Sequence, residues 1–230
     1  MKRIVSVILA AFTLFTTAFA ANISEDIVDT SSTTTEEVYA LNPTQIAMSN
    51  SVGIVLTETD IQEAKAALQK LQEEIARKKA AEEAARKEAE RVAYVNSQKY
   101  TYNVFSITGL SVDEFNKLLA PYALAGNGQA LYDMEHTYGV NGIFCMSVAM
   151  IESSLGGYGP SRNSHNYWGI LGRSWSSDYA GIMGFGDYIK NSGYYNGKSI
   201  ESIAYTYCPP TASKWVANVK SFMNTLWSRV

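Results

Sequence analysis

Gly142-Ile143-Phe144-Cys145-Met146-Ser147-Val148-Ala149-Met150-Ile151-Glu152 is followed by Ser153-Ser154-Leu155-Gly156-Gly157, and this stretch decides the reading of the chain. Residues 142–151 are apolar on every side of a helix, so that helix is predicted to be buried rather than amphipathic. The pair Gly156-Gly157 is expected to cap it. A carboxylate at this helix end is disfavoured as an anion by desolvation and by the negative end of the helix dipole. Both effects raise its pKa, toward an acid that keeps its proton near neutrality and can protonate a leaving oxygen. Glu152 is therefore the candidate general acid. The plainer reading is a half-exposed Glu that only caps a frayed end.

Working toward the C-terminus, Gly156 to Gly197 is dense in Gly, Ser, Asn and aromatics and reads as a loop-rich lobe. Its best candidates for an ordered piece are Gly181–Phe185 and Asp187–Ile189. Ser199 to Tyr207 is predicted helical, Pro209-Pro210 interrupts, and a last helix spaces Trp215, Val219, Phe222, Met223 and Leu226 on one face. Toward the N-terminus, Gln129 to Tyr138 reads as a helix ending at Gly139. Ser111-Val112-Asp113-Glu114 is a capping box for a helix that buries Phe115, Leu118 and Leu119. Asp113, Glu114, Asp133 and Glu135 read as exposed helix or cap residues.

Thr59-Asp60-Ile61-Gln62 resembles a further capping box, opening a long helix to about Val92. Ile61, Ala64, Leu68, Leu71 and Ile75 fall at three- and four-residue steps, the seam of a short coiled coil, until Lys78 and Glu82 take the next core positions. Pairs such as Glu73/Arg77, Glu74/Lys78, Glu82/Arg86 and Glu83/Lys87 decorate it. The expectation is a solvated helical spacer; the alternative is weak self-association, or a protein partner, through helix 59–92. Before it, the Ser-, Thr- and Glu-rich stretch 21–57 reads as a disordered linker, with a strand at Val52–Leu56 as an unsupported option. The start, Met1-Lys2-Arg3, an apolar run from Ile4 to Phe15 and Ala18-Phe19-Ala20, reads as a signal peptide over 1–20, with a short membrane anchor as the competing reading. The expected domains are thus 1–20, 21–57, a helix over 58–95 and a catalytic domain over 96–230. All but one of the Tyr and all four Trp follow Val92, which places the core there.

The formal net charge of -3 argues against a nucleic-acid partner. Two cysteines, Cys145 and Cys208, are too few for a disulfide scaffold, and one bridge or two buried thiols are equally consistent with export. His136 and His165 stand apart without ligand companions, so no metal is expected. Ser147, Ser153 and Ser154 lie near no nucleophile elbow, and no cofactor is implied.

Ala149 to Gly156, then Asn166-Tyr167-Trp168-Gly169-Ile170, then Tyr207 with Pro209-Pro210 and Lys214 to Met223, resemble in order the bacterial endo-β-N-acetylglucosaminidase domain of the lysozyme superfamily. The resemblance covers about Ser106 to Leu226. It implies an α+β, mainly α fold, a lysozyme-like helical domain with a small irregular or β lobe, which the helix read over 58–95 would precede as a long helical stalk. It implies a hydrolase that cuts peptidoglycan glycan strands after N-acetylglucosamine; with the signal-peptide reading, the expected protein is exported and cell-wall-associated, with no membrane contact once the signal is removed. Glu152 falls on the catalytic acid and Tyr207 on a Tyr that faces it. Asn166, Tyr167, Trp168 and Gly169 fall on the motif lining the sugar cleft, and Trp175 is a further ring suited to a pyranose face. The family's second carboxylate lies in a β-hairpin for which Leu171 to Ser177 leaves little room; Asp178, and less so Asp187, are the remaining acids. The alternatives are a muramidase or lytic transglycosylase of similar fold, and a non-catalytic wall-binding protein.

Overall fold

The computed structural model describes residues 57–230. The expected signal peptide, the optional strand at Val52–Leu56 and all of the expected linker except Thr57 lie outside the described residues. The chain divides into two units, Met1–Ala81 and Glu82–Val230. Helix α1 spans Glu58–Gln98. Its cap is Thr57, not Thr59: Asp60 N–H meets Thr57 Oγ1 at 3.2 Å, and Asp60 Oδ2 accepts from Thr57 N–H at 2.9 Å. The reciprocal bonds of a capping box are met by Asp as well as by Glu, two residues earlier than the Thr59 reading.

Within the first unit, Ile61, Leu68, Leu71 and Ile75 are exposed along α1. Of the expected four-residue pairs, Glu74–Lys78 and Glu83–Lys87 form at 2.9 and 2.6 Å. Arg86 instead turns to Glu90 at 2.8 Å, and Glu73 accepts from Gln69. Exposed pairs of this kind contribute only ~0.3–0.5 kcal/mol, so exchanging partners costs little.

The second unit is built on its own last turns of α1. Val95 is buried, and Arg91 bonds both Glu114 and the Gly109 carbonyl at 2.8 Å. The contacts that hold this body together therefore start at Arg91, ahead of residue 96. Helix α2 (Val112–Leu119) carries the capping box read from Ser111 and Glu114, and buries Phe115, Leu118 and Leu119. Helix α3 (Gly128–Tyr138) ends at Gly139 in the left-handed conformation. Helix α4 (Gly142–Ser153) is buried from Gly142 through Ala149, capped at its start by Asn141.

After α4 come α5 (Gly159–Ser164), α6 (Asp178–Asn191), α7 (Ile200–Tyr207), a 3-10 turn at Pro209–Thr211 and α8 (Ala212–Trp227). Helix α8 packs on α4 and α7, while α3 packs on α2 and α6. Among the described residues there is no strand, so the described chain is mainly α and the expected β element is not formed. The lobe is helical where loop was expected because its glycines are packing sites. Gly181 leaves room for the His165 carbonyl, Gly184 for the Trp175 indole and Gly186 for Met134. Each forgoes about 1 kcal/mol of helix propensity and gains close approach. Among the described residues no helix is long and apolar enough to cross a membrane. Cys145 is buried and Cys208 half-buried, and both are free thiols.

Glu135, read as exposed, is buried. Its carboxylate accepts from Gly142 N–H at 2.5 Å, Thr108 N–H at 3.2 Å and Thr108 Oγ1 at 2.9 Å, tying the chain before α2 to the start of α4. Burial pushes its pKa up to about 7, against the pull of those donors. A raised folded pKa means stability present below the ordinary value near 4.5 and lost as pH rises through 7. The loss should be on the order of 3 kcal/mol. In Glu135→Gln the side-chain carbonyl can serve both N–H groups while its amide turns to Thr108 Oγ1. Thermal unfolding at pH 5 and 8 should show wild type losing stability across that window and Glu135→Gln losing much less; equal slopes would contradict this account.

Candidate active site

Glu152 is the next-to-last residue of α4, as the run of apolar residues requires, but the cap is not the glycine pair. Ser154 and Leu155 take left-handed φ of 53° and 50°, followed by Gly156 at 82°. Two successive non-glycine residues in this region cost of order 1–3 kcal/mol each and persist only where surrounding contacts hold them. Arg162 supplies one such contact, its Nε donating to the Gly156 carbonyl at 2.7 Å. Ser153 supplies another: its buried Oγ lies 3.0 Å from the Ala149 carbonyl and 2.9 Å from that of Tyr167, and accepts from Gly156 N–H.

Around the carboxylate, Trp215 Nε1 donates to Glu152 Oε1 at 3.1 Å. A Cβ at Gly169 would sit 3.2 Å from Glu152 Oε2, and Gly169 has a φ of 66°, so both space and backbone call for glycine there. The Tyr207 ring lies 5.3 Å from that of Trp215. Glu152 is exposed by whole-residue area, yet burial of its carboxyl raises its pKa, with the Trp215 N–H opposing. The crowding governs protonation, because whole-residue area includes the methylene stem. Tyr207 is held well above its ordinary pKa, by burial first and by the Glu152 charge second. The arrangement is a carboxylic acid open on one side, biased to keep its proton, with one oxygen fixed by an indole.

The other expected residues surround this group in roles that differ from the sequence reading. Tyr167 and Trp168 do not offer ring faces to a sugar: both rings are buried, at 2% and 1% exposure. Trp168 stacks on Phe185 at 4.9 Å and donates Nε1 to the Cys145 carbonyl at 3.0 Å, so it is core. An aromatic pair flanked by Asn and Gly looks identical in sequence whether it lines a cleft or plugs one. Trp175 is half-buried and edge-on to Trp168 at 6.4 Å. Asn166 folds the turn, Oδ1 accepting from Ile170 N–H at 3.1 Å and Nδ2 donating to the Ile170 carbonyl at 2.7 Å. Tyr207 faces Trp215 with its ring but donates its hydroxyl to the Trp168 carbonyl.

Asp178, the first candidate for the second carboxylate, opens α6 with its carboxylate tied to His165 Nδ1 at 2.6 Å and to the Tyr167 hydroxyl. Asp187 instead accepts from Asn191 on the exposed side of α6. Trp215, Ser153 and His165 are the residues that the sequence did not single out at the site. The Trp215 signal was present as a member of the last helix's apolar face, but its N–H lies 63 positions from its acceptor. Among the described residues no group of three His, Cys, Asp or Glu is placed to hold a metal ion. In comparisons with known proteins, no family model and no curated protein matches the chain.

Proposed function

We propose that this chain is an exported peptidoglycan hydrolase with a lysozyme-like domain behind a helical stalk. It cuts the glycan strand after N-acetylglucosamine, with Glu152 as the general acid. The observation that supports this reading best is the Glu152 carboxyl itself, at the end of a buried helix, its pKa raised by burial and one oxygen held by Trp215. The order of the motifs around Glu152, Asn166–Ile170 and Tyr207 supports the bond assignment by resemblance. Release of reducing sugar from purified bacterial walls tests the reading; wall binding with no released ends would favour a non-catalytic wall-binding protein.

In the proposed reaction, Glu152 gives its proton to the glycosidic oxygen as the C1–O bond breaks. Charge building on the sugar needs a partner. Asp178 is poorly suited as a base for water, because burial is outweighed by the two bonds its Oδ1 accepts and its pKa is held below the ordinary carboxylate value. Substrate assistance fits better: the N-acetyl oxygen closes on C1, and water then opens the ring intermediate with its proton returned to Glu152. This route retains the anomeric configuration. NMR of the anomeric proton early in the reaction should show the β anomer first; a first-formed α anomer would require a base across the ring and overturn the substrate-assisted route. A lytic transglycosylase remains the second reading, favoured by the same engagement of Asp178, since one acid suffices for that cut.

A further inference from the structure

We propose that Asp178, Tyr167 and His165 form a clasp that seats the 166–170 turn against Glu152, so that Asp178 and Tyr167 are positioning residues rather than a base and a sugar platform. This rests on Glu152 being the acid of the proposed reaction. The connection can be followed bond by bond. Asp178 Oδ1 accepts from His165 Nδ1 at 2.6 Å and from the Tyr167 hydroxyl. The buried Tyr167 ring continues to the turn after α4, where a Cβ at Gly156 would meet Tyr167 Cε1 at 3.1 Å. The Tyr167 carbonyl accepts from Ser153 Oγ, on the residue after Glu152. The next carbonyl, of Trp168, accepts from Tyr207, and the next residue, Gly169, covers Glu152 Oε2. Gly169, which lies against Glu152 Oε2, is thus two positions along the chain from Tyr167 of the clasp.

Three features mark a built arrangement. His165 holds a left-handed φ of 50° as the cap of α5, a strained position for a non-glycine residue. Gly181 gives up its side chain where the His165 carbonyl approaches α6, which brings the end of α5 and the start of α6 together. Burial works to raise the Asp178 pKa, yet the Tyr167 and His165 hydrogen bonds, with smaller help from the Asn127 side chain, outweigh it and keep the group an anion. An anionic acceptor makes the two bonds charge-assisted, hence about twice as strong as neutral ones. Asp178 donating to His165 is excluded on the same ground, so His165 Nδ1 carries the proton and its Nε2 faces away from the clasp. The groups that face Glu152 itself are Trp215 and Tyr207, with the Gly169 backbone as the lid of that side.

The test reads Glu152 directly, by carboxyl ¹³C NMR titration of the full chain, alongside cleavage of soluble glycan. Tyr167→Phe keeps the ring and removes only the hydroxyl, and Asp178→Ala removes the acceptor. Both should lower the Glu152 titration midpoint by about 0.5 in pH as water reaches the carboxyl. Both should lower kcat by about 10-fold with a smaller change in KM, as expected for a misplaced catalytic group. Asp178→Asn keeps an oxygen for both donors but loses the charge assistance and should lie between wild type and Asp178→Ala, and Tyr167→Phe with Asp178→Ala should be no worse than either alone. An Asp178→Asn protein as inactive as Glu152→Gln would make Asp178 a base and overturn the proposal. So would an unmoved Glu152 midpoint in Tyr167→Phe and Asp178→Ala. Because the titration needs no substrate, a protein with no glycosidase activity would sink the functional reading while still deciding the clasp.

Discussion

Glu152→Gln is expected to reduce glycan cleavage by on the order of 10²-fold or more while leaving the protein folded. A positioned general acid contributes ~10²–10⁴-fold, and Gln has no proton to give. Its side-chain oxygen can still accept from Trp215 Nε1, so the shape of the site is kept. The fold should gain rather than lose. Glu152 has a raised pKa, so above that pKa the wild type holds an anion its surroundings disfavour, and the neutral amide removes that strain. The expected signature is a thermal midpoint at pH 8 equal to or above wild type, together with lost activity. The same shift sets the pH profile: an acid that must be protonated loses activity as pH rises through its pKa, and a raised pKa moves that limb above the ordinary carboxylate range. A folded Glu152→Gln protein with most of its activity would remove Glu152 from the chemistry.

Trp168→Ala is expected to be the most destabilising change near the site. The ring is fully buried, stacked on Phe185, edge-on to Tyr167 and Trp175, and hydrogen-bonded through Nε1 to the Cys145 carbonyl. Truncating such a residue costs about 3–5 kcal/mol, a large part of a typical total of about 5–15. In a chain of this size that should lower the thermal midpoint by about 10 °C or more. Trp168→Phe keeps most of the stacking area, removes only the additional Nε1 bond to the Cys145 carbonyl, and should lose roughly half as much. A sugar platform would behave in the opposite way: weaker glycan binding with unfolding unchanged. Calorimetry of the two variants beside glycan titration separates these cases, and an unchanged thermal midpoint for Trp168→Ala would contradict the core assignment.

What could be read from sequence was what depends on near neighbours. The Ser111–Glu114 box is legible because donor and acceptor are three residues apart, and α4 because ten consecutive residues agree on burial. The stop of α4 was misplaced by a few residues, since the contacts that Arg162 and Tyr167 make with the left-handed turn at Ser154 and Leu155 come from farther along the chain. Helix α6 was legible only as two short ordered pieces, Gly181–Phe185 and Asp187–Ile189, because Gly181, Gly184 and Gly186 carry a propensity cost that long-range packing offsets. Glu135 read as exposed because its donors, on Thr108 and Gly142, lie 27 and 7 positions away. At the site the same division holds. Glu152 announces itself by contrast with the apolar run before it, whereas the donor from Trp215 and the engagement of Asp178 by Tyr167 and His165 depend on how α8 and the lobe fold back.

Mass spectrometry of the fragments that the purified mature protein releases from peptidoglycan tests the central claim most directly. The account expects new reducing ends at N-acetylglucosamine, made by wild type and lost in Glu152→Gln. New ends at muramic acid, anhydro-muramic ends, or intact strands after prolonged digestion would contradict it.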